Sequence, residues 1–154
     1  MDNQTYSKKP PKVIYIIVTI TLLTALRAQT LFFFSTLEMN GGNNANAWLA
    51  PWVTDSILGL LVPIVIYYLL KGKGAKIWAL LIMYSALGAF DYATGIAIQY
   101  IHPMSIETAS PKLVYSSLFF TLIIQSVAVL LLFKKSVINH FFKYESARIH
   151  NTKL

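Results

Sequence analysis

Arg27, Asp55 and Asp91 are charged residues set inside long apolar stretches, where a charge needs a physical reason to stay. Arg27 lies 15 residues past Lys12, Asp91 lies 15 past Lys76, and Asp55 lies 16 before Lys71; each of these lysines marks the end of an apolar segment. At about 1.5 Å of rise per helical residue, all three charges fall roughly 22–24 Å from the same side of a membrane. An isolated charge at mid-helix costs about 2.5–3.5 kcal/mol on insertion scales, so partners are expected. Snorkelling relieves an arginine but serves a short aspartate poorly. Arg27 is therefore the expected partner of one or both carboxylates.

Two carboxylates and one guanidinium sum to −1. In a low dielectric that net charge is unfavourable, so one Asp is expected to hold a proton near neutral pH. Such a centre has the chemistry to exchange the proton, or to bind a small polar or cationic ligand, in a transporter or transporter subunit. The same three charges would equally serve as a helix-register lock in a structural or accessory subunit. A third reading is a membrane enzyme acting on a lipid-like substrate, with the Asp pair as acid and base.

Three- and four-residue spacings name the neighbours on each helix face. Trp52 falls beside Asp55, Tyr84 and Thr94 fall near Asp91, and on the last apolar segment Thr121 sits near that level and Gln125 somewhat deeper. With the three charges they make up the candidate ligand- or proton-binding set. Pro63 has no N–H for the carbonyl of Gly59, so a bend and a free acceptor are expected just below Asp55. Ser85, Ala89, Ala93 and Ala97 recur every four residues and read as a close-packing seam, inside a bundle or between protomers. On that reading Asp91 points about 160–200° away from the seam.

The elements that must carry these residues are four apolar spans, at about 13–36, 48–70, 75–101 and 113–133. Each has the roughly 20 residues that a bilayer demands. The chain of 154 residues is 56% hydrophobic with only 12% charged positions, far fewer charges than a water-soluble domain carries. Short connections between the spans imply antiparallel neighbours. The expected fold is thus an all-α membrane protein, one antiparallel four-helix transmembrane domain over 13–135, between a cytoplasmic segment 1–12 and a basic tail 136–154.

Lysines set the direction. Lys8, Lys9 and Lys12 precede the first span, Lys71, Lys73 and Lys76 lie between the second and third, and Lys134, Lys135, Lys143, Arg148 and Lys153 follow the last. The opposite side has Lys112 against Glu38 and Glu107. The positive-inside rule then places both termini in the cytoplasm, with the lysines against anionic lipid. Lys8–Lys12 ahead of Val13–Leu26 also resembles the start of a signal peptide. Leu26, however, stands where cleavage wants a small residue, and the apolar run continues through Phe34, so the span is read as retained. In the tail, Val137, Ile138, Phe141 and Phe142 alternate with polar residues, as in a short helix lying on the lipid surface or a continuation of the fourth span.

Several classes fall away. The chain has no cysteine, which removes thiolate catalysis, disulfide exchange and thiolate metal sites. His102, His140 and His150 all lie outside the spans, so neither a haem nor another cofactor or metal is expected. No basic stripe or nucleic-acid motif accompanies the net charge of +7. No Walker loop, GxSxG or HExxH is present. The expected partners are the lipid bilayer, a second copy or another membrane subunit, and a small ligand, in what fits a prokaryotic inner membrane.

Overall fold

The computed structural model describes residues 9–142. Among these residues four helices are long and apolar enough to cross a membrane: Lys12–Asn40, Asn46–Lys71, Ala75–Ile101 and Pro111–Leu132. The basic residues Lys8, Lys143, Arg148 and Lys153, with the ends of the expected terminal segments, lie outside the described residues.

The first span is not one α-helix. It is α-helical over Lys12–Leu23 (α1), 3₁₀ over Thr24–Thr36, and α-helical again over Leu37–Asn40 (α2). Runs of 3₁₀ helix beyond three or four residues are uncommon, and this one has 13. The sequence explains it. Thr21, Thr24, Arg27, Thr30, Phe33 and Thr36 recur every third residue. With three residues per turn a 3₁₀ helix stacks them in one straight line, whereas an α-helix would wind them round the barrel. Three of the hydroxyls also donate to the carbonyl three residues back: Thr24 to Thr21 (2.7 Å), Thr30 to Arg27 (2.8 Å) and Thr36 to Phe33 (2.9 Å). This side-chain support for the backbone is the kind that competes with α geometry.

The other spans are continuous: α3 (Asn46–Lys71), α4 (Ala75–Ile101) and α5 (Pro111–Leu132). Pro111 opens α5 at a position where a missing N–H is harmless, and the Ser110 side chain caps the turn by accepting from the Leu113 amide. The 3₁₀ segment packs along α3, α3 along α4, and α4 along α5, while α1 touches both α3 and α5. Buried side chains form two apolar clusters. One holds Ile14, Ile17, Val62, Leu69, Leu81 and Leu132, and the other holds Leu37, Trp48 and Trp52. Among the described residues the buried polar side chains are Thr21, Thr24, Arg27, Ser56, Ser85, Asp91, Gln99 and Gln125. Large apolar side chains such as Leu26, Phe32, Phe90 and Leu130 point outward, as lipid contact requires.

The small-residue ladder is not the internal seam of α4. Ser85 is buried, Ala89 is half-buried, and Ala93 and Ala97 are exposed. At 3.6 residues per turn a spacing of four gains about 40° per step, so the ladder winds from the inward face to the outward one. Gly88 and Gly95, one heptad apart, stay inward together with Asp91 and Gln99. Asp91 therefore lies on the closely packed face, not opposite it.

The loops between the first two spans and the last two are tied together. Ser105 N donates to Asn40 O (3.1 Å), Thr108 Oγ1 donates to Asn40 Oδ1 (2.8 Å), and Trp48 Nε1 donates to His102 O (2.9 Å). Gly42 has φ +67° and a Cβ there would collide with the Pro103 carbonyl oxygen, so a side chain would meet strain and a clash together.

Residues 135–142 are helical. Val137 and Phe141 are fully buried within the cluster of Ile14, Leu69 and Leu81, so the tail's apolar face closes the ends of the spans and does not rest on lipid. Two hydrogen bonds secure it: Gly74 N donates to Phe141 O (2.8 Å), and the Lys73 side chain donates through Nζ to His140 O (3.0 Å). Lys73 Nζ also lies 3.2 Å from both ring nitrogens of His140. Desolvation and then the Lys73 charge lower the His140 pKa, a bond at the Leu69 backbone opposes this, and burial lowers that of Lys73. The native fold thus prefers neutral His140. Its stability is intact above the unfolded value of about 6.5 and falls as pH drops below it. The apparent Tm in detergent is expected to fall over that interval in the wild type and to fall less in His140→Gln. Equal slopes for the two proteins would remove His140 from the pH response.

Candidate functional site

Three elements bring the charges together. The 3₁₀ line aims Arg27 inward, α3 supplies Asp55 and α4 supplies Asp91. Arg27 Nε donates to Asp55 Oδ1 at 2.5 Å, and Arg27 Nη2 donates to Asp91 Oδ2 at 2.8 Å. One guanidinium therefore bridges carboxylates that lie 28 and 64 residues away along the chain. The side chains are 2% exposed for Arg27, 18% for Asp55 and 8% for Asp91, so the ion pairs lie largely out of solvent. Charge-assisted bonds in such surroundings are strong, and removing one partner leaves a buried charge uncompensated.

Aromatic and hydroxyl groups complete the surroundings. The Tyr92 ring lies under the guanidinium, with its centroid 4.5 Å from Cζ, within cation–π range. Thr30 Oγ1 is 2.7 Å from Ser56 Oγ, and Ser56 donates to the Trp52 carbonyl (2.8 Å), fastening the 3₁₀ segment to α3 just beyond Asp55. Gly59 and Gly88 let the helices approach. A Cβ on Gly59 would collide with the backbone of Ala28, and one on Gly88 would lie 2.9 Å from both Arg27 Nη1 and Gln125 Nε2. Arg27 Nη1 and Gln125 Nε2 are buried and have no hydrogen-bond partner.

The other expected site residues divide. Gln125 is buried against Gly88, next to the guanidinium. Tyr84 is buried but donates to the Leu58 carbonyl (3.0 Å), so it acts as a clasp between α4 and α3. That carbonyl neighbours the one of Gly59, which Pro63 leaves without its helical donor. Trp52 is buried in the cluster at the far end, edge-on to Phe34 at 6.3 Å. Its carbonyl, not its ring, joins the polar network. Thr94 and Thr121 bond their own helices, to Phe90 O (3.0 Å) and Ser117 O (2.6 Å). Neither makes a side-chain bond to the three charges.

Tyr92, Ser56 and Gly88 were not among the expected binding residues. Period-three reading of the first span would have aligned Arg27 with Thr30, and Ser56 lies beside Asp55 in sequence. Tyr92 likewise lies beside Asp91 in sequence, but a tyrosine in an apolar span reads as an interfacial anchor. His102 enters the described bonds through its backbone, its amide donating to Ile98 O (2.6 Å) and its carbonyl accepting from Trp48 Nε1. Among the described residues no group of three or more His, Cys, Asp and Glu is placed to hold a metal ion. The chain matches no protein family, curated protein or solved structure, so the chemistry of this centre has to be argued from its own geometry.

Proposed function

We propose that this is a small multi-pass membrane protein, an antiparallel four-helix bundle with both termini in the cytoplasm, whose buried centre exchanges a proton or binds a small polar ligand. One observation carries the reading: a single buried guanidinium faces two carboxylates. Their formal sum is −1. A proton on either carboxyl neutralises the centre, and a ligand that alters this balance would load or release the proton. The lysine bias sets the centre in the outer half of an inner membrane. A chain of 154 residues would complete a transport path as a homodimer or with a partner subunit.

Infrared spectroscopy of the purified protein near neutral pH is the test. A protonated carboxyl has its own C=O band. The wild type is expected to show it and to lose it on raising the pH, and Asp55→Asn or Asp91→Asn is expected to remove the titrating band. Fluorescence of the tryptophans, with Trp52 nearest Asp55 in sequence, should follow the same titration between pH 5 and 9. A wild type with neither a carboxyl band nor a fluorescence change would sink the proton reading.

The depth of burial of Arg27, 2% exposed at its side chain, favours a second reading, a register lock in an accessory subunit. A lock keeps both carboxylates ionised over that pH range and loses stability, not titration, when an Asp becomes Asn.

A further inference from the structure

The 3₁₀ segment sorts its side chains into three straight lines, because every third residue returns to the same face. Thr24, Arg27 and Thr30 make the line turned into the bundle. Ala25, Ala28, Leu31 and Phe34 make a second, mostly half-buried line, on which Ala28 meets Gly59 of α3. Leu26, Gln29, Phe32 and Ser35 make the third, and all four are exposed, Leu26 at 70% and Phe32 at 82%. In an α-helix residues three apart drift by about 60° per step, so such a row would wind away from any one neighbour. Here it forms a straight ridge about 18 Å long from Leu26 to Ser35.

Leucine and phenylalanine are ordinary on a lipid-facing ridge; a glutamine is not. At about 2.0 Å per residue Gln29 stands only about 4 Å beyond the level of Arg27. The exposed ring of Phe32 lies between it and the outer end of the span. Hydroxyls outside the core settle their needs locally: Thr19, Thr54, Thr94, Ser116 and Thr121 each donate to the carbonyl four residues back. Gln29 does not. Among the described residues the side-chain bonds donated by the 3₁₀ segment come from Thr24, Arg27, Thr30 and Thr36. The Gln29 amide has two donors and an acceptor, so it calls for a partner that both gives and takes a hydrogen bond. Amides of this kind join helices in lipid.

We propose that this ridge is the interface with a second copy of the chain, two-fold symmetric about the membrane normal, with the Gln29 amides paired across the axis. A primary amide is self-complementary, and two of them face to face exchange two N–H···O bonds. Copies inserted in the same direction hold every residue at the depth of its mate. A two-fold contact then sets each ridge residue near the axis against itself. Leu26 and Phe32 flank the amides with apolar contact on either side. The homodimer invoked above for a transport path thereby acquires a surface, and the contact is independent of what the charged centre does.

The chain has no cysteine, so each introduced thiol is the only one. In liposomes at low protein-to-lipid ratio, Leu26→Cys and Phe32→Cys are expected to form disulfide-linked dimers on mild oxidation. Phe90→Cys on α4 and Leu130→Cys on α5, at positions 72% and 69% exposed, are expected to stay unlinked. Fluorescence transfer between donor- and acceptor-labelled copies gives the dimer Kd. Gln29→Leu is expected to raise it about 3- to 30-fold, the range for interhelical hydrogen bonds in lipid. Gln29→Asn, which keeps an amide, should retain more of the affinity. Neither change touches the bundle interior, so the protomer's Tm in detergent should match that of the wild type. The proposal is overturned if the wild type is monomeric at every lipid ratio, if all four thiols cross-link alike, or if Gln29→Leu dimerises as tightly as the wild type. Thiol adducts in native membranes to other proteins alone would overturn the second copy as the occupant.

Discussion

Arg27→Leu is expected to destabilise the protein by about 3–5 kcal/mol, because it strands two buried carboxylates that share one partner. The loss should exceed that of either Asp→Asn change, since the amide keeps shape and still accepts from the guanidinium. Arg27→Lys should fall between, as a compact ammonium cannot present separate N–H groups to carboxylates on two helices. Reversible unfolding in mixed micelles measures all four variants. The informative companion is Arg27→Met with Asp55→Leu and Asp91→Leu, which removes the charges together. Buried ion-pair networks replaced whole by apolar residues are often neutral or stabilising, so this variant should regain most of the lost stability. It should also lack the titrating carboxyl band. A single Arg27→Leu as stable as the wild type would mean that the guanidinium is not what holds the carboxylates.

Phe141→Ala should cost about 3–5 kcal/mol, the range for deleting a buried aromatic side chain. Phe141 is fully buried, and Val137, one turn earlier, is buried beside it. The ring fills the space among Ile14, Leu69 and Leu81, so its loss opens a cavity where α1, α3 and α4 meet. Lys135→Ala, on the exposed side of the same short helix, should stay within about 0.5 kcal/mol of the wild type. Equal stabilities for these two variants in the same unfolding assay would mean that the tail does not contribute to the core. The Phe141 variant should also weaken the pH response assigned to His140, since the neighbouring residue would lose the packing that desolvates it.

The span positions were legible because a bilayer imposes a length and an apolar composition that few other environments tolerate. The meeting of Arg27 with Asp55 and Asp91 could be anticipated from depth alone, since charges at one level in lipid have only one another as partners. The face each residue presents was harder to read. The ladder from Ser85 to Ala97 resembles a seam in steps of four, but about 40° of drift per step carries it round the helix. The Gly88–Gly95 heptad, which does keep its face, was the better guide. Apolar content is blind to helix type, so the 3₁₀ segment shows only in the spacing of Thr21, Thr24, Arg27, Thr30 and Thr36 by multiples of three. Tail packing was illegible for a different reason. Val137 and Phe141 suit a lipid surface and a protein core equally, and only the gap left at the ends of the spans decides between them.

The first span is also longer than its residue count implies. A 3₁₀ helix rises about 2.0 Å per residue against 1.5 Å for an α-helix, so the 13 residues from Thr24 to Thr36 reach about 6–7 Å further than they would in α form. Mismatch with a bilayer is felt at fractions of a kcal/mol per ångström. The first span therefore covers a given bilayer thickness with fewer residues than an α-helix needs, and the pitch of its winding, not its residue count, sets how far the chain has travelled across the lipid when it reaches its outer end.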